Sequence, residues 1–139
     1  AKMSKSDENP NAYIGVLDEP NVIMRKFKRA VTDSDMEIRY DEEKKPGVSN
    51  LMSIYSSMTG KSFDEIENEF DGKGYGDFKS AVGESVVETL KPIQDRYKEL
   101  MDDKSYLDSV MKDGAQRASY IANKTLRKVY KKVGLIPRV

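Results

Sequence analysis

Residues 75–102 read YGDFKSAVGESVVETLKPIQDRYKELMD. Phe78, Val82, Val86, Leu90, Ile93, Tyr97 and Leu100 recur every three or four positions, the spacing that puts side chains on one face of an α-helix. This stretch predicts one long helix and decides for a mainly α fold. Pro92 lies inside the stripe, lacks a backbone N–H, and predicts a kink or a restart there.

Working outward toward the C-terminus, a last helix is predicted over about 104–133. Its stripe is Leu107, Met111, Ala115, Ala118, Ala122, Leu126, Val129 and Val133, with Gly134 as its stop and Pro137 beyond. The successive alanines predict close approach to a neighbouring helix. Toward the N-terminus, Asp71-Gly72-Lys73-Gly74 breaks the chain. Before it, Ser62 and Glu65 form a capping box opening a short helix with Phe63, Ile66 and Phe70 on one face. A helix over about 48–59 turns Leu51, Met52, Tyr55 and Met58 inward and ends at Gly60, expected in a left-handed conformation.

Residues 32–46 are acidic and unpatterned, and Pro46-Gly47 closes them as a loop. Another helix is expected over about 19–31, with Asp18 as N-cap, Pro20 in the first turn, and Val22, Ile23, Phe27, Ala30 and Val31 at helical spacing. Residues 13–17 predict a short strand or an extended link. Residues 1–12 predict a mobile loop. Five helical segments with almost no strand signal make a helical bundle, and there is no internal repeat.

The 139 residues suffice for one domain with its own core. Lys and Arg number 24 and Asp and Glu 24, so the net charge of zero excludes a uniformly basic polynucleotide coat but leaves room for local patches. The absence of Cys and His excludes disulfides, thiol nucleophiles, Ser-His-Asp triads and His-ligated metals. Acid–base chemistry on this chain would fall to carboxylates, Lys or Tyr. No apolar run is long enough for a membrane span and no signal peptide is visible, so a cytoplasmic location is expected.

Three segments could carry chemistry. Lys2-Met3-Ser4-Lys5-Ser6 alternates ammonium and hydroxyl groups, and such a segment can wrap a polyphosphate; read blandly, it is a solvated basic terminus. Residues 120–139 carry Lys124, Arg127, Lys128, Lys131, Lys132 and Arg138 without an acid, and residues 25–29 read RKFKR. These are phosphate contacts or solvated helix faces. Thr32-Asp33-Ser34-Asp35 with Glu37 could hold Mg²⁺, but an Asx-type turn ion-paired to Arg25 or Lys28 is the simpler reading, and no protein-bound metal is expected.

KMSKS at 2–6 is the second signature of class I aminoacyl-tRNA synthetases. The run KMSKSDENPNAYIGVLDEP, then AVTDSD at 30–35, IRYD at 38–41, KPGVSNLMSIYSSMTGKS at 45–62, GKGYGDFK at 72–79 and ETLKPIQDRY at 88–97, resembles the bacterial tryptophanyl-tRNA synthetases. The resemblance covers the whole chain. It implies residues 1–18 as the KMSKS loop and linker from the end of a catalytic domain, and 19–139 as a helical anticodon-binding domain. It also implies that the nucleotide-binding α/β half, with its HIGH-type signature and tryptophan pocket, is absent. The chain is then a C-terminal fragment, inactive alone.

For the family, the reaction is activation of tryptophan by ATP to tryptophanyl-adenylate, then transfer to tRNA(Trp). Mg²⁺ is held through the ATP phosphates. The resemblance assigns Lys2 and Lys5 to stabilising the pyrophosphate leaving group, and Met3, Ser4 and Ser6 to ATP binding with them. It suggests tRNA contacts at Tyr75, Lys79, Lys124, Lys128 and Lys131, with core packing as the other reading of Tyr75 and the favoured one for Phe78. The intact enzyme is expected to be a homodimer. The fragment is expected to self-associate through Tyr13, Ile14, Val16, Leu17, Leu135 and Ile136, while its helical stripes from Phe27 to Val129 face one another. A tyrosine–tRNA ligase and a non-enzymatic helical RNA-binding module are the alternatives.

Overall fold

The computed structural model describes residues 9–136, so the KMSKS pentamer and Arg138 lie outside the described residues. Among these there are five helices and no strand: α1 (Pro20–Lys28), α2 (Pro46–Thr59), α3 (Phe63–Glu69), α4 (Tyr75–Asp102) and α5 (Lys104–Val133). The chain divides into two compact units, one ending at Asp95 and the other beginning at Arg96.

The first unit has the core. Ile23 and Phe27 of α1, Val48, Leu51, Met52 and Tyr55 of α2, Ile66 of α3, and Phe78, Val82 and Val86 of α4 are buried together with Ile38, Phe70 and Tyr75. The aromatic rings meet edge to face. Phe70 and Phe78 have centroids 5.0 Å apart, and Tyr55 lies 5.6 Å from Phe70, the arrangement that their quadrupoles favour. Small residues let backbones close in: a Cβ at Gly47 would run into the Val31 carbonyl oxygen.

Local punctuation follows the expected chemistry. Ser62 Oγ accepts from the Glu65 N–H at 3.3 Å and Glu65 Oε2 accepts from the Ser62 N–H at 2.8 Å, completing the capping box. Gly60 and Gly134 end α2 and α5 at φ of 75° and 74°, in the left-handed region open to glycine.

Several expectations are corrected. Residues 13–17 form no strand; the Asp18 N–H donates to the Gly15 carbonyl and closes a turn. Glu19, not Asp18, is the N-cap of α1, because Asp18 is committed to the Gly15 N–H and to Lys26. Helix α1 stops at Lys28, and Val31 is 84% exposed. Met58, read as inward, is exposed near the end of α2. Helix α4 continues through Pro92 with no restart.

The second unit differs in kind. Helix α5 contains no buried residue. Met111, Leu126, Val129 and Val133 are exposed, as are Ala115, Ala118 and Ala122, so the predicted stripe does not form part of a core. Asp103 caps the helix by accepting from the Tyr106 N–H at 2.9 Å. Of the six apolar residues expected at the surface, Val16, Leu17, Leu135 and Ile136 are exposed, whereas Tyr13 and Ile14 are half-buried.

Candidate nucleic-acid interface

The linker that leaves the KMSKS segment is fastened at several points. Lys26 of α1 is nearly buried, and its ammonium donates to the Tyr13 carbonyl at 2.9 Å and to Asp18 Oδ2 at 2.7 Å. The Lys26 contact and the Gly15 N–H hold the Asp18 carboxyl below its usual range. From α4, the Gln94 side-chain amide donates to the carbonyls of Val16 and Asp18 at 2.9 and 3.0 Å. One cation of the RKFKR run is thereby consumed by the fold. Arg25, Lys28 and Arg29 remain exposed.

The acidic stretch is ordered by a second polar cluster. Asp33 Oδ1 accepts from the Asp35 N–H at 2.9 Å, the expected Asx-type turn. Its ion-pair partner is Lys45, not Arg25 or Lys28. Only 1% of the Lys45 side chain is exposed, and its ammonium lies 3.1 Å from Asp33 Oδ1, 3.3 Å from Asp35 Oδ2 and 3.3 Å from the Tyr75 hydroxyl. That hydroxyl donates to Asp33 Oδ1 at 2.5 Å and sits 3.0 Å from the Glu37 carbonyl. The Tyr75 hydroxyl, with the Asp35 N–H and Lys45, holds the Asp33 carboxyl at about 2. Burial works against the Lys45 charge, but Asp33, Tyr75 and Asp35 outweigh it and raise its pKa. The Lys45 ammonium stands where a cation between Asp33 and Asp35 would go.

This cluster accounts for Tyr75. Its ring is buried and its hydroxyl is engaged, so it presents no face for a base to stack on. Phe78 is fully buried, as favoured from the sequence. Lys79 is half-buried on α4, and Lys124, Lys128 and Lys131 are exposed on α5, where spacings of four and three place them along one helical face. The roles of Lys26, Lys45 and Gln94 were not visible in the sequence. Each depends on partners far along the chain, and no local pattern marks them.

Next to the Asp33 cluster is a cleft of about 510 Å³ between residues 36–39 and the turn 70–74. The backbone on one side is held by the Tyr40 N–H donating to Glu67 Oε1 at 2.8 Å and by the Asp41 N–H donating to Ser49 Oγ at 2.8 Å. Tyr40 stacks on Phe63 with centroids 4.0 Å apart. Met36 enters the cleft from a left-handed backbone, φ 64°.

Comparison with known proteins gives a consistent answer. Residues 1–91 match the family model described as tRNA synthetases class I (W and Y). The chain is 52% identical over 137 residues to the tryptophan–tRNA ligase of Clostridium perfringens, covering 99% of this chain and 41% of that protein. It is 51% identical over 134 residues to the tryptophan–tRNA ligase of Bacillus subtilis, covering 96% and 40%. The tryptophanyl-tRNA synthetase of Campylobacter jejuni superposes with a TM-score of 0.77 at 30% identity, over 97% of this chain and 41% of that one. Its complex with ADP and tryptophan gives the same TM-score at 29% identity. The chain thus spans about two fifths of the length of the curated relatives it matches.

Proposed function

The chain belongs to the class I tRNA synthetases for W and Y, and from that premise we propose that it is the C-terminal part of a tryptophan–tRNA ligase. The observation that carries this reading is the pentamer at 2–6, standing in the family's order within a match of about half identity to tryptophan–tRNA ligases along nearly the whole chain. In the intact enzyme the tryptophan carboxylate attacks the α-phosphorus of Mg–ATP. The bond to the leaving pyrophosphate breaks, and tryptophanyl-adenylate forms. Charge builds on the leaving group, so cations there stabilise the transition state more than the ground state. Lys2 and Lys5 supply those cations, and Met3, Ser4 and Ser6 complete the contact with ATP.

Residues 1–18 form the loop and linker, and 19–139 the helical part that meets tRNA(Trp). Lys79, Lys124, Lys128 and Lys131 contact its phosphates, which supply affinity with little sequence information. Tyr75 belongs instead to the frame that orders residues 33–37. Among the described residues no helix is long and apolar enough to cross a membrane. The enzyme works as a homodimer in the cytoplasm, where its tRNA is charged.

The test is Lys5→Ala in the enzyme that also contains the α/β half. Adenylate formation, followed by tryptophan-dependent pyrophosphate exchange, falls roughly tenfold to a thousandfold while tryptophan binding is kept. Lys5→Gln, which retains chain length without charge, stays slow. An unchanged rate in either variant overturns the role.

A further inference from the structure

Lys26 is a cation turned inward. Its side chain is 8% exposed, and its ammonium donates to the Tyr13 carbonyl at 2.9 Å and to Asp18 Oδ2 at 2.7 Å. The Tyr13 ring lies beside it, with its centroid 5.0 Å away. One side chain thus grips both the first and the last residue of the segment 13–18. Within the segment the Gly15 N–H donates to Asp18 Oδ2 at 3.0 Å, and a Cβ at Gly15 would stand 2.8 Å from the other carboxylate oxygen. Gln94 of α4 grips the segment a second time, through the carbonyls of Val16 and Asp18.

Apolar burial does not account for this fastening. Ile14 packs against the core, but Val16 and Leu17 are exposed. Taking an ammonium out of water costs free energy, and what the segment gains in return is one fixed conformation. That conformation sets the point from which the chain leaves toward the pentamer. Residues 9–12 close into a turn, with the Ala12 N–H donating to the Asn9 carbonyl at 3.0 Å and the Asn11 N–H to Asn9 Oδ1 at 3.0 Å. Lys5 stands four residues before Asn9. Chain length alone therefore keeps the two Cα atoms within about 14 Å of each other. Holding 13–18 against α1 and α4 bounds the region that the Lys5 ammonium can occupy.

We propose that Lys26 and Gln94 are positioning residues for adenylate formation, which hold segment 13–18 so that Lys5 meets the charge building on the pyrophosphate. Neither touches substrate, and each acts through Lys5. The proposal rests on the reading of the pentamer as the pyrophosphate-stabilising group, and it adds which side chains of the helical part set that group's place. The contact is made mainly in the transition state, so a misplaced Lys5 lowers kcat more than it raises the KM for ATP. Transfer of tryptophan from the adenylate to tRNA expels no pyrophosphate and does not depend on the fastening.

The experiment is a double-mutant cycle in the enzyme that also contains the α/β half. Lys26→Met removes the grip on Tyr13 and Asp18. Gln94→Glu keeps the side chain's size but sets a carboxylate against two carbonyls, and it carries the test if Lys26→Met fails to fold by circular dichroism. Each variant lowers kcat for tryptophan-dependent pyrophosphate exchange roughly tenfold to a hundredfold. Single-turnover transfer from preformed adenylate to tRNA keeps its rate. In a Lys5→Ala background the same substitutions change the exchange rate by less than about twofold, because the group they position is gone.

An unchanged kcat in folded Gln94→Glu overturns the proposal. So does equal slowing of exchange and transfer, or a full multiplicative loss on top of Lys5→Ala, since either would show damage that does not pass through Lys5. These outcomes leave the role of Lys5 standing. An exchange rate unchanged by Lys5→Ala alone removes that role, and the proposal falls with it.

Discussion

Residues 9–95 and residues 96–136 are written in the same alphabet of helical stripes, but only the first unit converts its stripe into a core. In the first half of α4, Phe78 and Val82 have no exposed surface and Val86 has 5%. In α5, at the same spacing, Met111 is 64% exposed and Leu126 44%. Helical periodicity records that a face is apolar, and it does not record what lies against that face. The first unit builds the scaffold on which a shaped site can stand. The second offers a long cationic helix whose stability comes from capping, propensity and local ion pairs such as Arg117 with Asp113 at 2.9 Å.

The sharpest way to break this contrast is a pair of truncations. Phe78→Ala removes a fully buried ring in contact with Phe70 and costs roughly 3–5 kcal/mol in urea unfolding. Leu126→Ala, at a half-exposed position on α5, costs under ~1 kcal/mol. Equal costs would mean that α5 is packed as tightly as α4.

Lys45→Met comes next. It leaves the Asp33 carboxylate and the Tyr75 hydroxyl without their cation, so its cost in the same assay falls between the first two. A stabilised Lys45→Met variant would show that the cluster orders residues 33–37 without stabilising the fold.

The pH dependence isolates the same cluster. The Asp33 carboxyl is lowered from 3.8 to about 2 in the folded chain. A depressed carboxyl contributes stability above its unfolded value and loses it as pH falls through the folded value. Its contribution therefore fades between about pH 4 and pH 2. Over that interval thermal melting falls more steeply for the wild-type chain than for Asp33→Asn. Parallel curves would contradict the pairing. A smaller effect than that of Phe78→Ala is expected for Ser62→Ala, which opens the capping box of α3 and costs ~1 kcal/mol in urea unfolding.

What the sequence displayed and what it hid divide along physical lines. Gly60, Gly134, the Ser62–Glu65 box and the break at 71–74 were legible because each acts within a few residues of itself. The exposure of Val31 and Met58, and of the α5 stripe, was not, because burial is decided by partners that local spacing does not name. Lys45 reads as a surface charge beside a proline. Its burial needs Asp33 and Tyr75, 12 and 30 residues away. The Asx turn at Asp33 was readable and its ionic partner was not. The KMSKS signature announced the family directly, whereas the cleft between residues 36–39 and 70–74 exists only once α3 and the acidic loop are folded together.

The claim that packing, and with it the shaped site, resides in residues 9–95 is tested most directly by native-state amide hydrogen exchange resolved along the chain. Amides of α2 and of α4 from Phe78 to Leu90 should exchange only through global unfolding. Those of α5 from Met111 to Val129 should exchange through local opening at much lower free energy. Protection across α5 equal to that of Phe78–Leu90 would contradict the account.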